Sequence, residues 1–519
     1  MIDDPARPRP ASPTASPHAA THHRLLRLLV FVVGVSTLGA EIAAARLMAP
    51  YFGASTIVWA NTIGTVLVAL SIGYWLGGRL ADRRPHMEGL ARWVLGASVL
   101  LALVPLVAGP FLALSVKAFD RIDVGAFIGS LVGVLALVAV PVLLLGAVSP
   151  WAIRLSVARV DDAGRTAGGL YALSTVGSLL GTWAATLLLI PLIGTQRTFI
   201  SMALMVAVVA ALALPRRMLL VPLGIALLLA IPPGATKPGR DGARVLEERE
   251  TDQQYARVVE EPDGERRLEL NEGVVFHSTW RRDTVLTGNY WDGWLSTPFT
   301  VLGRPPRSVA ILGNGAGTAV RAYEQLFPAT QIDGVEIDGA LTELGKRWFG
   351  LRERPGVRLH TDDARPFLRR AHRRWEAVFI DAYRQPYIPF YLATREFFAL
   401  VHDRLDRGGV VVINVGHPED SDRLEQMLTA GLRTAFAHVA RDPITRENTL
   451  LIASDVAPSS ARVEAALPSA PPLVRPVLAR TAADLAPGLA GGPVYTDDKA
   501  PVEWLIDKSI VDYAADGED

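Results

Sequence analysis

Ser308-Val-Ala-Ile-Leu-Gly-Asn-Gly-Ala-Gly-Thr318 reads as a buried strand that runs into a glycine-rich turn and then a helix. Gly313, Gly315 and Gly317 fall where a backbone must bend sharply and come close to a ligand. A second strand, Gly334-Val-Glu-Ile-Asp338, follows and carries Glu336. That carboxylate lies about 20 residues past the turn, a spacing suited to taking ribose hydroxyls. A third apolar strand ends at Phe379-Ile-Asp381. Turn, acid and strand end together predict a site for a nucleoside-containing cofactor.

Outward from the turn, strand and helix alternate. The pattern predicts strands at 308–313, 331–336, 357–360, 377–381, 409–414, 437–441 and 448–454. It predicts helices at 317–326, 339–349, 364–371, 394–405 and 421–436. Repeated βα units imply a mostly parallel, doubly wound, Rossmann-like sheet over 306–519, with ligands at the C-terminal strand ends. Gly313, Gly315, Gly317, Glu336, Thr361-Asp362-Asp363-Ala364 and Asp381 all fall on that edge. Of Asp362 and Asp363, one is expected to cap the next helix, and Asp363 is the expected acceptor for an adenine amino group. Ahead of this core, Tyr255–Glu260, the turn Pro262-Asp-Gly264 and Arg267–Asn271 form a β-hairpin, with a further strand at 274–277. The small β segment is placed at 248–305, after a turn-rich linker at 233–247.

The N-terminal half has a different character. The chain has 519 residues, 52 basic and 52 acidic. Its mean hydropathy is nevertheless +0.26. The apolar excess is confined to 25–232. Residues 1–22, rich in Pro, Ala, Ser and His, read as a disordered tail. Residues 23–232 read as a multi-pass, all-α membrane domain of about seven helices, near 25–47, 56–77, 90–113, 126–149, 168–191, 197–214 and 217–232. Arg24, Arg27, Arg79, Arg83, Arg84, Arg92, Arg154, Arg159, Arg165, Arg216 and Arg217 mark alternate links as cytoplasmic. Seven crossings would place the C-terminal half outside; if the short run 217–232 does not cross, that half is cytoplasmic, which is the expectation for an enzyme whose nucleoside substrate is made there. Glu41 lies at bilayer depth, either as a functional group or as a local partner of Arg46. Gly168, Gly169, Gly177 and Gly181 read as close helix-packing sites, and Trp59 as an interfacial anchor.

The chain has no cysteine, which excludes disulfides, thiolate nucleophiles and thiolate-bound metals. No metal-ligand cluster is legible, so no metal is expected. Balanced charge gives no sign of a nucleic-acid partner.

Several stretches together resemble one family. They are Ala49–Gly53, Gly73–Asp82, Leu270-Asn-Glu-Gly273, Leu286–Asp292, Val335–Asp338, Asp381-Ala-Tyr-Arg-Gln-Pro-Tyr-Ile-Pro389 and Thr496-Asp-Asp-Lys-Ala-Pro-Val-Glu503. The chain resembles the polyamine aminopropyltransferase (spermidine synthase) family, and its membrane-fused bacterial members in particular. The resemblance implies a methyltransferase-type fold and transfer of an aminopropyl group from decarboxylated S-adenosylmethionine to a diamine such as putrescine. It implies no further cofactor. Asp381 would be the proton acceptor, Glu336 the ribose ligand and Asp363 the adenine ligand. Tyr290, Tyr383, Gln385 and Tyr387 would line the amine site. A homo-oligomer held in the cell membrane and in contact with the bilayer is expected. Two positions depart from the family pattern: Ala316 replaces an aspartate of the turn, and Arg384 replaces a second acid near the strand end. The competing functions are an S-adenosylmethionine-dependent methyltransferase and a non-catalytic membrane transporter or sensor with a nucleoside- or polyamine-binding domain.

Overall fold

The computed structural model describes residues 17–52, 56–119, 125–157, 159–231, 242–251, 253–271, 275–383, 388–417 and 421–506. Contacts divide the chain into two compact units. One comprises Met1–Leu47, Asn61–Phe111 and Leu131–Gly234; the other comprises Met48–Ala60, Leu112–Ser130 and Ala235–Asp519.

The first unit is helical. Among the described residues, five helices are long and apolar enough to cross a membrane: His22–Phe52, Val58–Arg83, Met87–Ser115, Ile128–Ser156 and Val160–Ala211. The sequence reading divided this region into seven runs. Of these, 168–191 and all but the last three residues of 197–214 fall within the helical stretch Val160–Ala211, which Gly194 interrupts with φ 80° and ψ 166°. The last run, 217–232, forms only a 3₁₀ turn at Arg216–Leu219 and a nine-residue helix at Leu220–Leu228. At about 1.5 Å per residue, that helix is far shorter than an apolar bilayer core. Gly177 and Gly181 do serve close packing: a side chain there would strike the backbone of Phe31 and Val35. Gly168 and Gly169 face open space instead. Glu41 is buried inside the first helix.

The second unit holds two sheets. The smaller is a four-stranded antiparallel meander: β1 (Arg244–Glu250), β2 (Tyr255–Glu260), β3 (Arg266–Leu270) and β4 (Phe276–Trp280). β1 lies partly within the stretch read as linker. Its charged sequence Arg-Val-Leu-Glu-Glu-Arg-Glu concealed it, and no residue of the strand is fully buried. Val258, Leu268 and Leu270 from this sheet pack with Leu341, Leu344 and Phe349.

The larger sheet has β5 (Ser308–Leu312), β6 (Gln331–Glu336), β7 (Val357–Thr361), β8 (Trp375–Ile380), β9 (Leu405–Gly416), β10 (His438–Thr445), β11 (Asn448–Ser454) and β12 (Ala486–Pro487). The spatial order is β12-β10-β11-β9-β8-β5-β6-β7. Strands β9, β8, β5, β6 and β7 run parallel, while β11, β10 and β12 add an antiparallel edge. Every residue of β5 and β8 is buried, as expected for strands covered on both faces. The chain runs from β5 outward to β7, then returns to place β8 on the other side of β5. This reversal opens a crevice at the C-terminal ends of β5 and β8. Gly313 and Asp381 are the residues that follow those two ends.

Candidate active site

The turn after β5 needs its glycines. Gly313, Gly315 and Gly317 have φ of 89°, 55° and 91°. L-residues avoid this region. A Cβ on Gly313 would also lie 2.5 Å from the carbonyl carbon of Asp381 and 2.6 Å from the Ala382 nitrogen. The two strand ends therefore meet backbone to backbone.

Glu336 ends β6 beside the turn. One carboxylate oxygen accepts the Gly315 N–H at 2.8 Å and the other the Asp338 N–H at 3.0 Å. Burial raises its pKa to about 7, and these N–H groups oppose the rise. The carboxylate thus braces the turn while still lining the cavity. Asp338 is itself held by Thr251 Oγ1 at 2.5 Å and caps the next helix through the Ala340 N–H.

Asp381 stands at the end of β8 with three donors on its carboxylate. Tyr290 Oη donates to Oδ2 at 2.9 Å, Asn414 Nδ2 donates to Oδ1 at 2.7 Å, and Trp291 donates as well. Burial pushes the Asp381 pKa up to about 7; these donors pull it down and the charge of Glu336 adds to the rise. Tyr290 in turn has its phenol pKa raised, first by burial and then by the neighbouring Asp381 charge. Tyr290 owes its place to a folded loop. Asp292 accepts the Thr287 and Gly288 N–H groups at 2.8 and 2.7 Å, and Gly288 takes φ 70°. Trp294, from the same short segment, stacks on Phe379 of β8 at 5.0 Å.

These groups enclose a cavity of about 300 Å³. Glu336, Asp362, Asp363, Asp381 and Tyr383 line it, with Gly313 and Gly315 at its floor. Trp59, read from sequence as an interfacial anchor, belongs to the same unit and lines the cavity too. Gln253, Gln254 and His277 from the meander are lining residues that carried no legible signal in the sequence. Asn414 and Asn448 were missed for the same reason.

The adjacent acids divide their roles differently from the sequence expectation. Asp363, not Asp362, caps the helix Ala364–Arg370: it accepts the Arg365 N–H at 3.0 Å, and its other oxygen accepts the Tyr391 hydroxyl at 2.6 Å. Asp362 pairs with Arg370. Tyr383 directs its hydroxyl to the Asn414 carbonyl at 2.6 Å, while its ring faces the cavity. The C-terminal motif is fastened to this side of the site. Asp497 takes both terminal nitrogens of Arg365, at 2.8 and 2.6 Å, and the Thr394 hydroxyl at 2.7 Å. Gln385, Tyr387 and Arg384 lie outside the described residues. Gly317 caps the start of the helix Thr318–Leu326, where a side chain would meet Leu351.

Ala316 has a clear surrounding. It is fully buried and packs with Val258, Leu268, Leu341 and Phe349, while its N–H donates to Ser278 Oγ at 2.8 Å. An acid at 316 would be buried in that apolar cluster, at the cost of stripping a charge of water.

Among the described residues, no group of three or more His, Asp or Glu could hold a metal ion.

Comparison with known proteins bears on this geometry. The family model for the spermine/spermidine synthase domain matches residues 299–445, a span that contains the glycine turn, Glu336, Asp381 and Asn414. A polyamine aminopropyltransferase of Vibrio vulnificus is 34% identical over 146 residues, covering 28% of this chain and 48% of its own length. The polyamine aminopropyltransferase 1 of Streptomyces coelicolor is 27% identical over 463 residues and is covered over 80% of both chains. The chain spans 38% and 48% of the length of the first two curated relatives it matches. The crystal structure of spermidine synthase from Thermotoga maritima aligns with a TM-score of 0.34 and 19% identity, over 41% of this chain and 72% of that one. The matched span begins with the short helix Phe299–Leu302 and ends with β10.

Proposed function

We propose that the protein is a membrane-anchored aminopropyltransferase. It moves the aminopropyl group of decarboxylated S-adenosylmethionine to a diamine such as putrescine, giving spermidine and methylthioadenosine. The observation that carries this reading is the Asp381 carboxylate, held by Tyr290, Asn414 and Trp291 directly beside the glycine turn. The match to the spermine/spermidine synthase domain and the polyamine aminopropyltransferase relatives support it.

In the proposed reaction the nitrogen lone pair of the amine attacks the aminopropyl carbon bound to sulfur. The carbon–sulfur bond breaks, and its electron pair stays on sulfur, which becomes the neutral thioether of methylthioadenosine. The nitrogen loses a proton to Asp381. An alkylammonium has a pKa of about 10 and an ordinary Asp about 3.9, a gap too wide for easy transfer. Burial narrows it by raising Asp381 to about 7. Held at both oxygens, the carboxylate also orients the nitrogen in line with the carbon. Glu336 is assigned to the ribose, and Asp363 to the adenine through the lone pairs left beside its bonds to the Arg365 N–H and the Tyr391 hydroxyl, with the glycine turn beneath the nucleoside. Tyr290 and Tyr383 are assigned to the acceptor side, with Gln385 and Tyr387. The five long apolar helices are the proposed anchor.

A pH series tests the assignment of Asp381. As pH falls through the raised pKa the carboxylate takes up a proton and can no longer accept one. Methylthioadenosine release, followed as kcat/KM in the diamine, is therefore expected to fall tenfold per pH unit below about 7. An acid limb near pH 4, where an ordinary aspartate titrates, would contradict a raised pKa for the group that accepts the proton, and a rate that does not fall with acid would remove Asp381 from that role.

A further inference from the structure

We propose that Asn448 and Asn414 form a two-amide relay that fixes the Asp381 carboxylate in its working orientation, making both of them positioning residues of the transfer site. For its catalytic meaning the inference rests on the role proposed above for Asp381. The relay itself rests on geometry alone.

Asn414 lies on β9 and is only 5% exposed. Its Nδ2 donates to Asp381 Oδ1 at 2.7 Å. A side-chain amide can present either its nitrogen or its oxygen, and an oxygen turned toward a carboxylate would repel it. The orientation therefore needs a cause. Asn448 supplies it: its Nδ2 donates to Asn414 Oδ1 at 2.8 Å, which leaves only the nitrogen of Asn414 to face Asp381. The sheet places the two side chains together. β11 pairs antiparallel with β9, Leu450 opposite Asn414 and Asn448 opposite Gly416, so the two asparagines are diagonal neighbours on one face. The backbone of Asn414 is fixed as well, since its carbonyl accepts the Tyr383 hydroxyl at 2.6 Å, and that hydroxyl accepts the Gly416 N–H at 3.1 Å. The loop that leaves Asp381 thus returns to clamp the strand that supplies its donor.

The remaining groups facing Asp381 are Tyr290 and Trp291 from the segment after β4, Glu336 at the end of β6, and Tyr383. Of these, Glu336 is the carboxyl group, and its ionised form opposes ionisation of Asp381. The relay works against it by donating to the ionised form. Loss of either amide is expected to raise the pH at which Asp381 ionises. In Asn448→Ala the amide of Asn414 is free to turn its oxygen toward the carboxylate, so a residue that touches neither substrate is expected to alter the titration.

The test uses the full-length protein in lipid nanodiscs. Infrared difference spectra of wild type against Asp381→Asn isolate the carboxyl band of residue 381, which is followed across a pH series. Asn414→Leu is expected to move the midpoint up by about one pH unit, a tenfold fall in the ratio of ionised to protonated carboxyl at a fixed pH. Asn448→Ala is expected to move it in the same direction by about half a unit. Turnover of both variants is expected to be reduced at pH 7 and to recover at pH 9, with the donor KM unchanged. Asn448, at a strand end, is the milder substitution and carries the test by itself if Asn414→Leu fails to fold. An Asn448→Ala protein that titrates and turns over like wild type overturns the relay. A shifted titration in a protein that releases no methylthioadenosine supports the relay and overturns the proposed reaction instead.

Discussion

Asp381→Asn is expected to lower the turnover of methylthioadenosine release by about 10³-fold while leaving nucleoside binding within about threefold of wild type. The substitution keeps the size of the side chain and removes its charge and its capacity to take a proton. It also spoils the hydrogen bonding. Oδ1 and Oδ2 of Asp381 each receive a donor, from Asn414 and Tyr290. An amide can satisfy only one of them through its oxygen and must turn its own donor toward the other. The acceptor amine then has neither a base nor a fixed direction of approach. The nucleoside half of the site has separate supports, since Glu336 is braced by the Gly315 and Asp338 N–H groups. Calorimetric titration with methylthioadenosine, beside single-turnover kinetics, separates the two halves. A variant that keeps more than about a tenth of wild-type turnover would remove Asp381 from the chemistry.

Gly313→Ala is expected to abolish folding of the catalytic unit or its activity, with a loss of stability of about 3 kcal/mol or more. Two costs combine. The residue would have to adopt φ 89°, and its Cβ would press on the carbonyl carbon of Asp381 and the nitrogen of Ala382. Both are backbone atoms, so no rotamer change relieves the contact. Gly288→Ala is the control: it has a comparable φ of 70°, but nothing lies within 4 Å of its added methyl. That variant pays only the local conformational cost, about 1–2 kcal/mol. Thermal unfolding of the two variants side by side reads the difference, and equal losses would contradict the close meeting of β5 and β8.

The reasons for these expectations were unevenly legible in the sequence. Strands β5 and β8 were readable as largely apolar runs between turn residues, while β6 and β11, which carry polar residues, were placed by the strand–helix alternation and match the expected 331–336 and 448–454. Sequence spacing also placed Glu336 and Asp381 on the ligand edge. β1 was lost because its side chains are mostly charged and its burial is partial. The helices Ser460–Ala466 and Arg475–Asp484 were not anticipated either; their alanine- and proline-rich sequence shows no clear apolar stripe, although Val463, Val474 and Leu478 enter the core. The seven apolar runs were read from composition; the helical stretch that holds most of two of them is interrupted at Gly194, just before the polar Thr195-Gln-Arg197, and the run 217–232 holds a nine-residue helix. Between Asp362 and Asp363 the cap fell on the second residue, because the helix begins at Ala364 and its first free N–H groups face Asp363. Asn414 and Asn448 were invisible for a different reason. A neutral amide in a strand carries no charge or spacing signal, and only the register of β9 against β11 brings the pair to Asp381.

The central claim is the identity of the transferred group, and a donor comparison tests it most directly. Purified full-length protein in nanodiscs is given putrescine with either decarboxylated or intact S-adenosylmethionine, and the products are resolved by mass. The account predicts equal amounts of spermidine and methylthioadenosine from the decarboxylated donor and neither product from the intact one. Methyl transfer from intact S-adenosylmethionine, with no methylthioadenosine from the decarboxylated donor and any diamine, would contradict it.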